Sequence, residues 1–236
     1  MTQSESFQRF LTTQLADHQT GEPPATQRTV HPFVTISREA GAGAHSLAKT
    51  MVKVFAEQDD EELFGTWQVF DRKLCEYVVE DPRLEGALDD LLSEAYHSRA
   101  EAFFSQLLKP APDQEYVMTR VFRAVRSLAG VGKVILLGRG GSNATRGMGP
   151  SFRIRLVAPL DERVKRIANQ EHIDERSARE RVRRLDTSRA RLIKRHFGAA
   201  IDDPLEYDAV WNTAAVGYET IAEATAAVLR RRAADR

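Results

Sequence analysis

The chain contains a single cysteine, Cys75, among 236 residues. That excludes an internal disulfide and any zinc site built on several thiolates. The six histidines are scattered without ligand-like spacing, so no structural transition-metal site is expected and no residue is assigned as a metal ligand. Long hydrophobic runs are also missing. No apolar stretch approaches the roughly 20 residues of a membrane helix, and residues 1–15 lack the basic-then-apolar order of a secretory signal. A cytoplasmic protein with no membrane partner is the expectation. Net charge is zero, with 34 basic and 34 acidic residues, yet residues 151–198 hold 14 Lys/Arg against 7 Asp/Glu. Such asymmetry suggests a polyanion contact on that segment. Aromatic residues make up only 8% of the chain and few fall among those arginines, so nucleic acid is not the expected partner.

What is present is enough apolar material, 42% of the chain, to bury a substantial core. Residues 1–32 are polar and include the linker-like "GEPPATQ"; Phe7, Phe10, Leu11 and Leu15 could form one short helical face. They read as an N-terminal extension ahead of a domain over residues 33–236. "FVTIS" (33–37) is a strand, followed by Leu47, Met51, Val54 and Phe55 at helical spacing. "WQVFD" (67–71) reads as a second strand. Leu84, Leu88, Leu91, Leu92 and Ala95 open a helical stretch reaching about Leu108, which Pro110 and Pro112 end. A helix over about 115–128 leads to the strand "KVILLGRGG" (133–141), and "FRIRLVAP" (152–159) is the next strand. Helical patterns run over 161–197 with a break near 172–174. "DAVWNT" (208–213) is a last strand before a helix from about Gly217. Strands alternate with helices five times, which predicts a five-stranded parallel sheet covered on both faces.

Between the first strand and its helix lies "REAGAGAHS". A phosphate-binding loop needs glycines, so that successive backbone N–H groups converge on oxygens, and the positive end of the following helix. Gly41 and Gly43 meet the first need. The usual pattern, G-x-x-x-x-G-K-[ST], adds a lysine for the terminal phosphates and a hydroxyl for magnesium. Two registers are open here. With Gly43 as the second glycine, the first falls on Arg38, the lysine on Ala44 and the hydroxyl on His45. With Gly43 as the first glycine, "GAHSLAKT" fits except at Ala48, but Lys49 and Thr50 then lie inside a helix that is already running. The first register is preferred, and Arg38 is its replacement cation. A local Arg38–Glu39 ion pair beside a simple turn is the alternative.

Six separated segments, "ISREAGAGAHSLAK", "FDRKL", "VILLGRGG", "FRIRLVAPLDERVKRI", "RRLDTSRARLIKRHFG" and "DPLEYDAVWNT", occur in an order that resembles the cytidylate kinase-like family, divergent P-loop nucleoside monophosphate kinases. The likeness runs from about residue 33 to 229. It implies a three-layer P-loop kinase fold with a helical acceptor-site insertion at about 80–130 and an arginine-rich lid at about 172–200. It further implies ATP and Mg2+ as cofactors and a small phosphorylated acceptor with CMP or dCMP first; the sequence itself leaves oligomeric state open, a homodimer being allowed. The donor would lie on Ala40, Gly41, Ala42, Gly43, Ala44, His45 and Ser46. Arg139 matches the arginine of the family's Gly-Arg-Asp motif, where it is associated with the acceptor phosphate; the acidic third residue is Gly140 here. Asp71 matches the start of the acceptor segment, although "DRKL" replaces Asp-Thr-Gly-Ala. Arg184, Asp186 and Arg189 match the lid. The catalytic set is then Arg38, Arg139, Arg184 and Arg189, with Asp71, Arg139 and Asp186 on the acceptor. Each residue also has a plainer reading: Arg139 capping strand carbonyls, Asp71 capping a helix from Arg72, the lid arginines forming a solvated face, and Asn212 and Thr213 bonding backbone at the last strand's end.

The functions in competition are three. The leading one is ATP-dependent phosphoryl transfer, which rests on positioning and electrostatics and tolerates arginine in several places. The second is a nucleotide-binding or regulatory protein, since the expected lysine and hydroxyl are both gone. The third, nucleic-acid binding through the basic segment, lacks a recognised module.

Overall fold

The computed structural model describes residues 31–71 and 113–235. The N-terminal extension, Cys75, the helix expected over 84–108 and a helix capped by Asp71 lie outside the described residues. In chain order the elements are β1 (Phe33–Arg38), α1 (Ala44–Ala56), α2 (Glu61–Phe64), β2 (Gln68–Phe70), α3 (Asp113–Val131), β3 (Val134–Leu137), α4 (Gly141–Ala144), β4 (Ser151–Val157), α5 (Leu160–Glu171), α6 (Glu175–Phe197), a 3-10 turn (Pro204–Glu206), β5 (Ala209–Asn212) and α7 (Tyr218–Ala234).

All four strand pairings are parallel, in the order β2-β3-β1-β4-β5. Successive side chains on a strand point to opposite faces, and both faces here are covered. Val34 and Ile36 of β1 pack with Leu47, Met51 and Phe55 of α1 and Ile221 of α7. Phe33, together with Val134 and Leu136 of β3, packs on Phe122, Val125 and Leu128 of α3. Burial on both sides explains why β3 reads as the unbroken run Val-Ile-Leu-Leu. A third cluster, with Val164, Ile167, Ala178 and Val182, joins α5 and α6 into a hairpin resting on Ala40 of the loop after β1.

Two boundaries differ from expectation. The segment "KVILLGRGG" is a strand only at Val134–Leu137, because Gly138, Arg139 and Gly140 take φ of 74°, 51° and 65°. Three left-handed residues in succession cannot continue a strand. The strand "FRIRLVAP" stops at Val157, and Pro159 caps α5 instead. The break predicted at 172–174 is present: His172 ends α5 with φ 55°, and the Asp174 carboxylate accepts from Ser177 N at 3.0 Å to begin α6. Among the described residues no helix is long and apolar enough to cross a membrane.

Phe55 shows how α1 is held. Its side chain is fully buried, with ring centroids 5.4 Å from Phe64 and 4.8 Å from Trp67. Phe55→Ala leaves a cavity among these rings and should cost about 3–5 kcal/mol in urea-unfolding measurements. Val210→Ser, at a position 44% exposed on β5, should stay within about 0.5 kcal/mol of the parent.

Candidate active site

Helix α1 begins at Ala44, with Gly43 as its N-cap at φ 83°. Lys49 therefore stands inside the helix with its side chain exposed, and the register that would make it the phosphate lysine is excluded. Ala44 occupies the lysine position and is buried in the core. A side chain at Gly43 would need a left-handed backbone and a Cβ 1.9 Å from Tyr218 Oη, so Gly43 admits both the turn and Tyr218 of α7.

The loop is tied from one side by its carbonyls. Ala40 O accepts from Arg163 Nη1 at 3.2 Å, Gly41 O from Arg166 Nη1 at 3.5 Å and Ala42 O from Thr213 Oγ1 at 3.0 Å. A trans peptide points its C=O and N–H in opposite directions. Anchoring the Ala40 and Ala42 carbonyls on the α5 side thus turns the Gly41 and Gly43 N–H groups to the other side. Among the described residues no acceptor closes on those two groups, or on Ala44, His45 or Ser46 N–H at the start of α1. The result is a concave set of donors at a 13-residue helix, the arrangement that receives phosphate oxygens. Thr213, read from the sequence as bonding backbone at the last strand's end, bonds the Ala42 carbonyl and so holds the loop. Asn212 bonds backbone locally, accepting from Ala214 N at 3.0 Å.

Two loop donors are already used. Ala42 N bonds Glu39 O at 3.2 Å, and Ala40 N donates to Asp186 Oδ1 at 2.7 Å. The second Asp186 oxygen accepts from Arg163 Nη1 at 2.7 Å. Asp186, expected on the acceptor, is thereby a clamp between α6 and the loop. Arg163 also donates through Nε to Ala158 O at 3.0 Å and lies 3.2 Å from Glu39 Oε2. Glu39 further accepts from Ala158 N at 3.2 Å. The Arg38–Glu39 pair weighed above does not form, because Glu39 turns to Arg163 and leaves Arg38 to the opposite side.

That side is a cavity of about 420 Å³ at the carboxyl ends of β1 and β3, under α6. Arg38, Arg139, Arg181 and Arg189 line it with His45 and Asp71. Arg38 lies so close over Gly138 that a Cβ there would sit 1.7 Å from Nη1. Burial, then repulsion from Arg189 and Arg139, lowers the Arg38 pKa from the ordinary arginine range to about 10, with Asp71 only partly offsetting this. Burial likewise lowers Arg189; Asp186 opposes the shift while Arg155, Arg163 and Arg181 add to it. Among the described residues no acceptor closes a hydrogen bond on the Arg38 guanidinium. Arg139 sits in the left-handed region at φ 51° between two left-handed glycines, a conformation that costs a non-glycine residue about 1–2 kcal/mol.

Four of the sequence-assigned residues thus meet at one site: Arg38, Arg139, Arg189 and Asp71, with His45 beside them. Arg184 does not join them; it is exposed and lies outside the cavity lining. Arg181 takes that place. The helical period could have told them apart, since Arg181, Leu185, Ser188, Arg189 and Leu192 repeat at three- and four-residue steps on one face of α6. Arg163 was missed because nothing in its spacing marks an arginine buried beneath a distant loop.

The donor set fits a triphosphate: inward N–H groups, a helix start and four guanidiniums. It does not fit magnesium where the pattern would place it, since that ion seeks oxygen and His45 presents an imidazole there.

A family model for the cytidylate kinase-like family matches residues 33–215. The chain is 32% identical over 193 residues to a cytidylate kinase of Methanopyrus kandleri, covering 78% of this chain and 86% of that one. The chain belongs to the cytidylate kinase-like family. A crystal structure of an uncharacterized protein from Eubacterium ventriosum superposes with a TM-score of 0.65 at 18% identity, over 85% of this chain and 99% of that one, and so shares the fold. Membership of the cytidylate kinase-like family supports a nucleotide kinase-like function, and the loop and cavity lie at the carboxyl edge of the sheet, where open parallel sheets bind ligands.

Arg163→Met would leave Asp186 and Glu39 without their shared cation and should lower stability by about 3 kcal/mol in urea unfolding. Lys165→Met, which breaks only an exposed pair with Glu162, should cost under about 1 kcal/mol. Arg38→Met should do the reverse. At neutral pH Arg38 stays protonated in both states, and a folded pKa lowered to about 10 means that keeping it charged costs the folded state stability, on the order of 3 kcal/mol. That cost is fully present below about pH 10 and is relieved as pH rises from there toward the ordinary arginine value, where the folded state sheds the proton first. Arg38→Met should therefore raise the melting temperature at pH 7 and abolish the stabilisation that added phosphate gives the parent.

Proposed function

We propose that the chain transfers the γ-phosphoryl group of ATP to a small phosphorylated acceptor, with CMP or dCMP the first candidate. The observation that carries this reading is the half-buried Arg38 guanidinium, set in one cavity with Arg139, Arg181 and Arg189 and, among the described residues, one lining carboxylate, that of Asp71. Cations kept close together at a cost to the folded state call for an anion of high charge.

In this reading the N–H groups of Gly41, Gly43 and Ala44 receive the donor phosphates. Arg139 and Arg181 hold the acceptor phosphate, and Arg38 and Arg189 flank the path between them. An acceptor oxygen attacks the γ-phosphorus as its bond to the bridging oxygen of ADP breaks, with the charge on the passing group met by Arg38 and Arg189. A divalent ion, magnesium being the ordinary one, would come with the donor phosphates and would supply charge neutralisation there.

A second reading, a nucleotide-binding or regulatory protein without turnover, draws on a different observation. Ala44 puts no cation on the donor's terminal phosphate, and Asp186 occupies the Ala40 N–H.

The test is a phosphoryl-transfer assay from ATP across a panel of nucleoside monophosphates. Transfer to CMP or dCMP is expected. Arg139→Met and Arg189→Met should each lower kcat/KM by about 10²–10³, while Arg184→Met should leave it within about threefold. ATP binding in calorimetry with no transfer to any acceptor would leave the second reading standing.

A further inference from the structure

Arg155, on β4, is almost wholly enclosed, with 6% of the residue exposed. Arginine is rarely buried so far without a carboxylate partner. Arg163, buried to a like extent, has two. Among the described residues no carboxylate closes an ion pair on Arg155. Its contacts are Ser37 Oγ, to which Nη1 donates at 3.1 Å, and the face of the Tyr207 ring, whose centroid is 5.6 Å from the guanidinium carbon. Both partners are neutral. The parallel register sets Ser37 of β1 directly beside Arg155 of β4. Ser37 lines the cavity with Arg38 and Arg189, while Arg155 stays behind it in the interior.

The bonds around Ser37 run in one direction. Tyr207 Oη lies 2.7 Å from the Ile201 carbonyl oxygen and 3.1 Å from Ser37 Oγ. A phenol has one proton and a carbonyl only accepts, so that proton goes to Ile201. Ser37 Oγ then accepts from Arg155 and rests its own proton on Tyr207 Oη. At 3.1 Å this last bond is long for two hydroxyls. Rotation about the Cβ–Oγ bond hands the proton to a stronger acceptor, and an anionic oxygen in the cavity is one.

We infer that Ser37 is an anion-binding residue of the cavity and that Arg155 is its positioning residue. The buried guanidinium occupies a lone pair of Ser37 Oγ, so that the oxygen is held and its proton becomes a better donor. A phosphate oxygen beside Arg189 then receives a hydroxyl bond backed by a charge that stays in the interior. This rests on the phosphoryl-transfer reading above, in which Arg189 flanks the path of the transferred group. An enclosed charge without a counter-ion lowers the stability of the empty fold. An anion at Ser37 relieves that cost.

The experiment is a double-mutant cycle on the full chain, with pyrophosphate binding read by calorimetry. Pyrophosphate carries the charge without base or sugar. Ser37→Ala should weaken binding by about tenfold, the size of one hydrogen bond to a charged group. Arg155→Met should weaken it several-fold and raise the melting temperature of the empty protein, because an apolar chain replaces a buried charge. An arginine with only a structural role would instead lower the melting temperature when removed. The double variant should bind little more weakly than Ser37→Ala alone, since Arg155 acts through the hydroxyl. If the two losses multiply, if Ser37→Ala binds as the parent does, or if the parent binds no pyrophosphate, the inference is overturned. Transfer from ATP to the nucleoside monophosphate panel, run on the same proteins, tests the kinase reading separately. Transfer by the parent with multiplying losses removes the Ser37–Arg155 coupling alone, and coupling without transfer removes the kinase reading alone.

Discussion

A single buried guanidinium, that of Arg163, joins everything that matters to the site. It reaches the carbonyls of Ala40 and Ala158 and the carboxylates of Glu39 and Asp186, so it touches the loop after β1, the end of β4 and helix α6 at once. Replacing such a network by apolar groups of equal volume need not destabilise a protein, but removing one member strands the others. Its value here is geometric. The Ala40 carbonyl is pulled toward α5, Arg166 and Thr213 do the same for the next two, and the planarity of the peptide turns loop donors outward to where phosphates would lie. A planar, permanently charged fork suits this task, because it satisfies several acceptors from one fixed point.

The cavity on the other side of the loop runs on the opposite principle. Arg163 is compensated by two carboxylates, whereas Arg38 lies beside Arg139 and Arg189 with, among the described residues lining its cavity, the carboxylate of Asp71 against them. Keeping such charge together costs the fold stability, and the left-handed Arg139 adds backbone strain at the same spot. Glu39 belongs to the first network only: it turns to Arg163 and away from Arg38. Because α6 contributes Asp186 to one and Arg189 to the other, any movement of the α5–α6 hairpin alters both together.

The loss of the lysine acquires a physical setting from these contacts. A lysine at Ala44 would have to leave the apolar cluster in which that residue is buried. Arg38, six residues earlier in the chain and at the end of β1, approaches the same region from the strand side. The arginines that line the cavity stand instead at the end of β1, in the turn after β3 and on α6.

Much of this was legible without a structure. The five strands, their parallel pairing, the break between α5 and α6 and the loop between β1 and α1 follow from side-chain period, glycine placement and capping, which are local steric effects written into neighbouring residues. The six ordered segments named the family, and Arg38, Arg139, Arg189 and Asp71 line one cavity. What the sequence could not decide was which charged group faces which. Arg163 meets Ala40 across 123 residues and Asp186 meets it across 146, and whether Arg181 or Arg184 enters the cavity depends on the rotation of α6 against the sheet. Those outcomes are set by the packing of whole elements, where a contact depends on the placement of two distant backbones and leaves no periodic trace in either.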